Sequence, residues 1–239
     1  MAQEIFERYE KKYMMTEGQF KQIMPVLQQY LEPDQFQSYQ IRNLYYDTSD
    51  YQLIRSSLEK PLYKEKVRLR SYGDLSLDTP VYLELKKKFD GVVYKRRAEF
   101  TFTEAEAYLK QGKKPFHDSQ ILHELDYTMK RYDLKPAVFL SYERSAWHGK
   151  EDPQLRMTFD TEVTGRSYEL DLRKGCYGAR ITEPREVLME VKIPGAMPVW
   201  MSRILSEFAV FPVSFSKYGT YYLKYIMRNR EREGGENCA

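Results

Sequence analysis

Polar and apolar residues alternate with a period of two along several short stretches of this chain. Lys66, Arg68 and Arg70 are separated by Val67 and Leu69. Glu84, Lys86 and Lys88 alternate with apolar residues that include Leu83 and Leu85, and Lys95, Arg97 and Glu99 with Tyr94, Arg96 and Ala98. The same spacing returns at Tyr142 and Arg144, at Arg156, Thr158 and Asp160, and at Glu190 and Lys192. A period of two predicts strands, because every second side chain of an extended chain points to the same face. Several strands therefore each place cations, with occasional carboxylates, on one face. If those faces converge, the protein surrounds a polyanion. If they point to water, they are an ordinary solvated sheet surface.

The pattern predicts strands over Ile5 to Met14, Tyr39 to Tyr46, Lys64 to Tyr72, Val81 to Phe89, Val92 to Phe102, Ala137 to Trp147, Gln154 to Val163 and Glu186 to Ile193. Asp90-Gly91 between two of them is a strong hairpin signal. Helices are predicted between them. Thr16-Glu17-Gly18-Gln19 reads as a capping box opening a helix to about Leu31, with Pro25 marking a kink or a broken first turn. Thr103-Glu104-Ala105-Glu106 reads as a second box, closed by Gly112. His117 to Tyr132 and Met197 to Phe208 have helical apolar spacing, and Ser216 is placed as the N-cap of a last helix to about Arg228. About eight strands in mostly hairpin order, with helices inserted, predict an α+β chain: a closed antiparallel barrel with helices packed outside.

Composition narrows the partners. The chain has 239 residues, 42% hydrophobic and 31% charged, which fits a globular protein. The net charge is only +3, so a nucleic-acid binder coated with Lys and Arg is not expected, and the cations must act by position. Cys176 and Cys238 lie far apart with no CxxC pattern, which predicts neither a zinc site nor a disulfide framework and suits a reducing, cytoplasmic setting. The first residues lack the apolar run of a signal peptide, and no stretch is long enough to span a membrane. No linker or repeat appears. The expectation is one domain over residues 1–228 and a flexible polar tail over 229–239. The sequence carries no sign of oligomeric state.

A set of motifs, taken in order, resembles a known family. They are Arg8-Tyr9-Glu10-Lys11-Lys12-Tyr13, Leu44-Tyr45-Tyr46-Asp47-Thr48, Lys66-Val67-Arg68-Leu69-Arg70-Ser71-Tyr72-Gly73 and Leu83-Glu84-Leu85-Lys86-Lys87. Tyr142-Glu143-Arg144, Leu155-Arg156-Met157-Thr158-Phe159-Asp160-Thr161, Met189-Glu190-Val191-Lys192 and Phe215-Ser216-Lys217-Tyr218 complete it. Together they resemble the triphosphate tunnel metalloenzymes, and within them the polyphosphate polymerase domain of the vacuolar transporter chaperone type.

The resemblance implies that the alternating faces line a polar tunnel that binds triphosphate and a divalent metal. It implies Lys12, Arg68, Arg70, Arg144 and Lys217 as catalytic cations, and Lys86, Lys95, Arg97, Arg156 and Lys192 as phosphate contacts. Lys95 and Arg97 share a face, and either fills the family position. Glu190 would be the metal ligand, with Glu10 as a second candidate, and the metal Mn²⁺ or Mg²⁺. The implied partners are ATP and a polyphosphate or triphosphate. The implied reaction transfers the terminal phosphoryl group of ATP to a growing polyphosphate. A triphosphatase on the same fold, or a module that only binds polyphosphate or nucleotide, is the alternative.

Residue chemistry agrees with a polyanion. Arginine offers a planar fork for bidentate contact and lysine a compact charge. Phosphoryl transfer asks mainly for alignment and charge stabilisation. Mg²⁺ and Mn²⁺ accept few protein ligands and keep their waters. One departure matters. Hydrolases and cyclases of the superfamily usually carry Glu-x-Glu-x-Lys on the first strand, where this chain has Arg8-x-Glu10-x-Lys12. That disfavours a two-metal triphosphatase. Asp160 and Glu162 are in phase with Arg156 and are expected either to support the site or to pair with its cations. His117, His123 and His148 lack ligand spacing and are expected to be structural.

Overall fold

A computed structural model of the chain describes residues 9–90, 92–113 and 118–229, without the side chains of Phe36 and Gln37. Arg8, Gly91, His117 and Cys238 lie outside the described residues, as does nearly all of the expected tail.

The elements in order are β1 (Tyr9–Thr16), α1 (Glu17–Leu27), β2 (Leu31–Asp47), α2 (Gln52–Leu58), β3 (Tyr63–Tyr72), β4 (Pro80–Phe89) and β5 (Val92–Thr101). They continue with α3 (Phe102–Gln111), α4 (Gln120–Arg131), β6 (Lys135–Gly149), β7 (Arg156–Arg166), β8 (Ala179–Arg180), β9 (Glu186–Ile193), α5 (Val199–Glu207) and α6 (Lys217–Tyr221). A turn of π-helix follows at Tyr222–Met227. The chain is α+β, and β1–β9, β2–β3, β3–β4, β4–β5, β7–β8 and β7–β9 all pair antiparallel.

Two compact units form, interleaved in sequence. The first comprises Met1–Tyr39, Tyr142–Val163 and Thr182–Phe215; the second comprises Gln40–Ser141, Thr164–Ile181 and Ser216–Ala239.

In the first unit β9 pairs with β1 on one side and β7 on the other. Alternation sorts its side chains cleanly. Tyr13 and Met15 of β1, Met157 and Phe159 of β7, and Val187, Met189, Val191 and Ile193 of β9 join one apolar core. Helix α1 adds Ile23, Met24 and Leu27, and α5 adds Met201, Ile204 and Leu205. Helix α1 starts as expected: Thr16 Oγ1 accepts from the Gln19 backbone N–H, and the Gln19 side chain accepts from Thr16 N. It ends at Leu27, before the expected Leu31, because β2 already begins there.

In the second unit β3 pairs with β2 and β4, and β4 with β5. Val67, Leu69, Val81, Leu83, Leu85 and Phe100 point to a core that also holds Phe102 and Ala105 of α3 and Leu122 and Leu125 of α4. The second capping box sits two residues earlier than expected. Thr101, not Thr103, is the N-cap, and Glu104 reaches back to it. Strand β5 ends at Thr101, so the first free N–H groups of the helix arise there. Gly112 caps the other end at φ 68°, as expected.

Helix α2 has no sequence signature. Its N-cap, Tyr51, is left-handed and offers no side-chain bond. Asp47, at the end of β2, serves instead, accepting from the backbone N–H of Leu53 at 2.8 Å and of Ile54 at 3.0 Å.

The expected closed barrel does not form. The hydrogen-bonded strand order is β1-β9-β7-β6-β2-β3-β4-β5, with β8 on β7, and this path has two ends. In the first unit, among the described residues, the outer edge of β1 meets one bridge, Tyr13 to Pro212, and Val213 N donates to Lys12 O. Proline has no N–H with which to continue a ladder. In the second unit, β5 is the outer strand and is studded with Lys95, Arg96 and Arg97. Charge of one sign along an edge discourages a further strand.

Candidate functional site

Each unit turns one sheet face to its core and leaves the other polar. The sequence-derived candidates fall on these polar faces, in two groups that belong to different units.

The second unit holds Arg68, Arg70, Lys86, Lys95, Arg97 and Lys217. At the centre of this group is a carboxylate, Glu84, only 2% exposed. Register explains the cluster. Arg68 of β3, Glu84 of β4 and Arg97 of β5 are direct cross-strand neighbours. Glu84 Oε2 accepts from Arg68 Nε at 2.8 Å, and Oε1 accepts from Arg97 Nε at 2.8 Å. Lys95 Nζ lies 2.8 Å from Oε1, and a second Arg97 nitrogen, Nη2, also donates to it. Burial alone would push the Glu84 carboxyl up, but Arg68, Arg70 and Lys95 outweigh it and hold it well below the usual carboxylate range. Glu84 is ionised, and the cations around it exceed it in charge.

The remaining contacts pre-orient the arginines. Arg68 Nη1 donates to the Tyr45 hydroxyl at 3.1 Å, and Arg70 Nε donates to Asn43 Oδ1 at 2.8 Å. Tyr45 and Asn43 face these arginines because β2 pairs Tyr45 with Arg68 and Asn43 with Arg70. Burial raises the Tyr45 phenol, but Arg68, Arg70 and Lys66 together bring it down to about 8. Lys217 is buried, at the first turn of α6. Ser216 Oγ caps that turn by accepting from Gly219 N, as expected, and also accepts from Lys66 Nζ at 3.3 Å. The next residue, Tyr218, donates its hydroxyl to Asp47 Oδ2 at 2.8 Å. Two motifs 171 residues apart are joined there.

The first unit holds Lys12, Arg144, Arg156, Lys192, Glu10 and Glu190. Arg144 grips Asp160, with Nε 2.6 Å from Oδ1 and Nη2 2.7 Å from Oδ2. Nη2 also reaches Glu190 Oε2 at 3.2 Å. Desolvation would lower the Arg144 pKa, but Tyr142, Asp160 and Glu190 raise it well above its ordinary value. Arg144 is therefore charged, buried and committed largely to carboxylates. Lys12 Nζ lies 3.4 Å from Glu10 and 3.7 Å from Glu190, and donates to Phe215 O at 3.1 Å. Arg156 is ion-paired with Asp34, a partner that the sequence does not point to. Lys192 faces both Glu10 and Arg156 in register.

The donor set fits a hard cation of the Mg²⁺ or Mn²⁺ kind and not zinc. Among the described residues no group of three or more His, Cys, Asp or Glu could hold a metal. What exists is a pair: Glu10 and Glu190 both reach the Lys12 ammonium. Beside Glu190, directly across the β7–β9 ladder, Thr158 Oγ1 is buried without a hydrogen-bond partner. Two carboxylates and one unsatisfied hydroxyl suit an ion that takes few protein ligands and completes its shell with water and phosphate.

Glu84, Tyr45 and Asn43 were not among the site residues chosen from sequence, whereas Asp160, expected to support the site or pair with its cations, pairs with Arg144. Glu84 carried a signal, since it shares the phase of Lys86. Tyr45 lay within the Leu44–Thr48 motif but was given no role, and Asn43 carried no signal before register was known. Of the histidines, His123 contacts Asp118 at 2.6 Å on an exposed helix face and His148 lies 3.5 Å from Glu32. Among the described residues, no helix is long and apolar enough to cross a membrane.

Comparison with known proteins gives a consistent family. Subunit 4 of the vacuolar transporter chaperone complex of Schizosaccharomyces pombe is 28% identical over 148 residues, 52% of this chain and 20% of that protein. The chain thus matches only about a fifth of that relative's length. A candidate adenylate cyclase from Bacillus halodurans has the same fold at a TM-score of 0.57 and 18% identity, covering 90% of this chain and 96% of the other. A candidate adenylyl cyclase from Hippeastrum, described as having a dominant triphosphatase activity, follows at 0.53 and 14%, covering 89% and 93%. The model of the VTC domain matches residues 7–225, nearly the whole sequence, and the chain therefore belongs to the VTC domain family.

Proposed function

We propose that this protein is a metal-dependent phosphotransferase that binds the triphosphate of ATP and transfers its terminal phosphoryl group to a polyphosphate chain. The observation that carries the reading is the cluster around Glu84. Three cations, Arg68, Lys95 and Arg97, converge on one buried carboxylate, and Arg70 stands beside them. Arginine and lysine donors gathered in this way are the groups that bind anionic phosphate oxygens.

The geometry supports the following roles. Arg68, Arg70, Arg97, Lys86, Lys95 and Lys217 bind phosphate oxygens, and Glu84, Tyr45 and Asn43 set the orientation of Arg68, Arg70, Lys95 and Arg97 in advance. Pre-set donors stabilise charge on the transferring group without reorganising as it moves. Arg156 and Lys192 add cations to the first unit's face, and Lys12 lies between its two carboxylates. Arg144 holds Glu190 in place while Asp160 holds Arg144. Glu190, with Glu10, would hold Mn²⁺ or Mg²⁺, whose chemistry is to neutralise phosphate charge and polarise the oxygens that carry it. The acceptor is a polyphosphate in this reading. A cytoplasmic placement belongs to the same reading.

The test is direct. The purified chain is incubated with ATP and Mn²⁺ or Mg²⁺, and long polyphosphate is resolved from free phosphate. Chain growth is expected. Release of free phosphate alone would replace the transferase with a triphosphatase, and binding without turnover would leave a binding module.

A further inference from the structure

The core side of the second unit leaves a space. A cavity of about 130 Å³ lies between β2, β3, α3 and the chain around Leu172. Its walls are mainly apolar and include Leu44, Leu69, Phe102, Leu109, Leu170 and Leu172. The cavity stands on the reverse side of the strands that carry the candidate site. Leu44 pairs with Leu69 on the core face, whereas the next pair along, Tyr45 and Arg68, faces the other way.

One wall is fixed from within. Arg166 is fully buried, and its guanidinium donates to the backbone carbonyls of Glu169, Asp171, Gly175 and Tyr177 at 2.9–3.2 Å. Those bonds hold the loop that presents Leu170 and Leu172, so this wall is shaped independently of what the cavity contains. The mouth carries Glu106, Lys110 and Asp171. Their charges are already balanced. Lys110 pairs with Glu106 and lies 3.5 Å from Asp171, and Arg173 lies 3.0 Å from Glu106 and 2.7 Å from Asp171. Two cations meet two carboxylates, so the mouth favours a neutral guest.

The inner polar group is Tyr46. It lines the cavity, is only 5% exposed and has no hydrogen-bond partner among the described residues. Burial first, then Asp171 and Glu106, raises its pKa, so the phenol is neutral and can donate. A buried hydroxyl without a partner is costly. An ordered water needs about two to four polar partners, whereas an apolar cavity of about 150 Å³ stays dry and takes up benzene.

We infer that this cavity is a binding site for a small neutral molecule with one aromatic ring and a hydrogen-bond acceptor, to which the Tyr46 hydroxyl donates. The site is separate from the cationic faces and stands whether or not they bind phosphate.

Phenol and benzene serve as probes, titrated against the full chain by ligand-observed NMR. Both should bind saturably to the unmodified protein. Tyr46→Phe keeps the ring and removes only an unpartnered hydroxyl, so its thermal midpoint should not fall. It should lose about tenfold in affinity for phenol and less than about twofold for benzene. Leu109→Phe fills the space and should abolish binding of both without lowering the thermal midpoint. If the unmodified chain binds neither probe, the cavity is a packing void and the inference fails. Phenol binding that survives Leu109→Phe would place the ligand elsewhere and overturn the site. Unchanged phenol affinity in Tyr46→Phe, or an equal loss for benzene, would overturn the recognition by the hydroxyl.

Discussion

Arg144 meets Asp160 through two parallel contacts of 2.6 and 2.7 Å, and both side chains are almost wholly withdrawn from water. The pair is a fork on a carboxylate, the geometry that only arginine makes. Its consequence is positional. Arg144 Nη2 also touches Glu190, so Asp160 fixes the group that fixes the candidate metal ligand. Asp160→Asn should leave Arg144 buried beside a weaker partner and destabilise the fold by about 3 kcal/mol, as for a broken buried pair. Denaturant unfolding measures this. A loss below about 1 kcal/mol would show that water replaces the carboxylate and that the pair is not structural.

Glu190→Gln separates binding from chemistry. The substitution keeps size and hydrogen bonding but removes the charge that would hold a divalent ion. Triphosphate binding should persist within a few-fold, because the arginines of the second unit are untouched, while turnover with Mn²⁺ or Mg²⁺ falls at least about a hundredfold. Titration of Mn²⁺ followed by its paramagnetic signal should show the lost ion site independently of activity. Unchanged turnover would make Glu190 structural and direct attention to Glu10.

Tyr45 is expected to make triphosphate binding sensitive to alkaline pH. Its phenol ionises at about 8 because Arg68, Arg70 and Lys66 outweigh the cost of burial. A tyrosinate next to Arg68 supplies the negative charge that phosphate would otherwise bring. Triphosphate affinity should therefore fall as pH rises through about 8, and Tyr45→Phe should abolish that step. For stability the sign is opposite. The folded pKa lies below the unfolded value of about 10, so ionisation favours the folded state. The contribution is complete above pH 10 and is lost as pH falls through 8. Absorbance of tyrosinate during a pH titration checks the ionisation itself.

Glu84 is expected to hold the cationic face together when no anion is present. Glu84→Gln removes the shared counter-charge and leaves Arg68, Lys95 and Arg97 facing one another. The loss should be about 2–3 kcal/mol, discounted because Lys95 and Arg97 are partly exposed. Triphosphate should raise the thermal midpoint of the variant more than that of the unmodified chain, since the ligand supplies the missing charge. Equal shifts in both proteins would show that Glu84 and phosphate do not serve the same cations. The acid side follows from the depressed carboxyl. Its stabilisation is present above the unfolded carboxylate range near pH 4–5 and is lost as pH falls below it.

The amino-acid order alone determined which side chains share a face. That property is covalent: an extended backbone alternates, so Lys66, Arg68 and Arg70 stand together whatever else the chain does. Strand β9 was legible to the residue, and Thr16, Ser216 and Gly112 marked helix ends because caps are local chemistry. Helix α2 was not legible, because its first N–H groups are satisfied from outside the helix, that of Gln52 by Thr48 and those of Leu53 and Ile54 by Asp47. The second capping box slipped by two residues because the end of β5, not composition, decided which N–H groups were free.

Tertiary structure decided everything that depends on register between strands. Glu84 meets Arg68 and Arg97 only because β4 pairs with both β3 and β5 at one offset, and a slip of one residue would turn it into the core. Arg144, Asp160 and Glu190 come from β6, β7 and β9, whose sequence separations leave no local trace of their contact. The open strand order was also beyond the sequence. Alternation reports which face is wet, but closure depends on how the two outermost strands end, and here a proline at one edge and a row of cations at the other settle it.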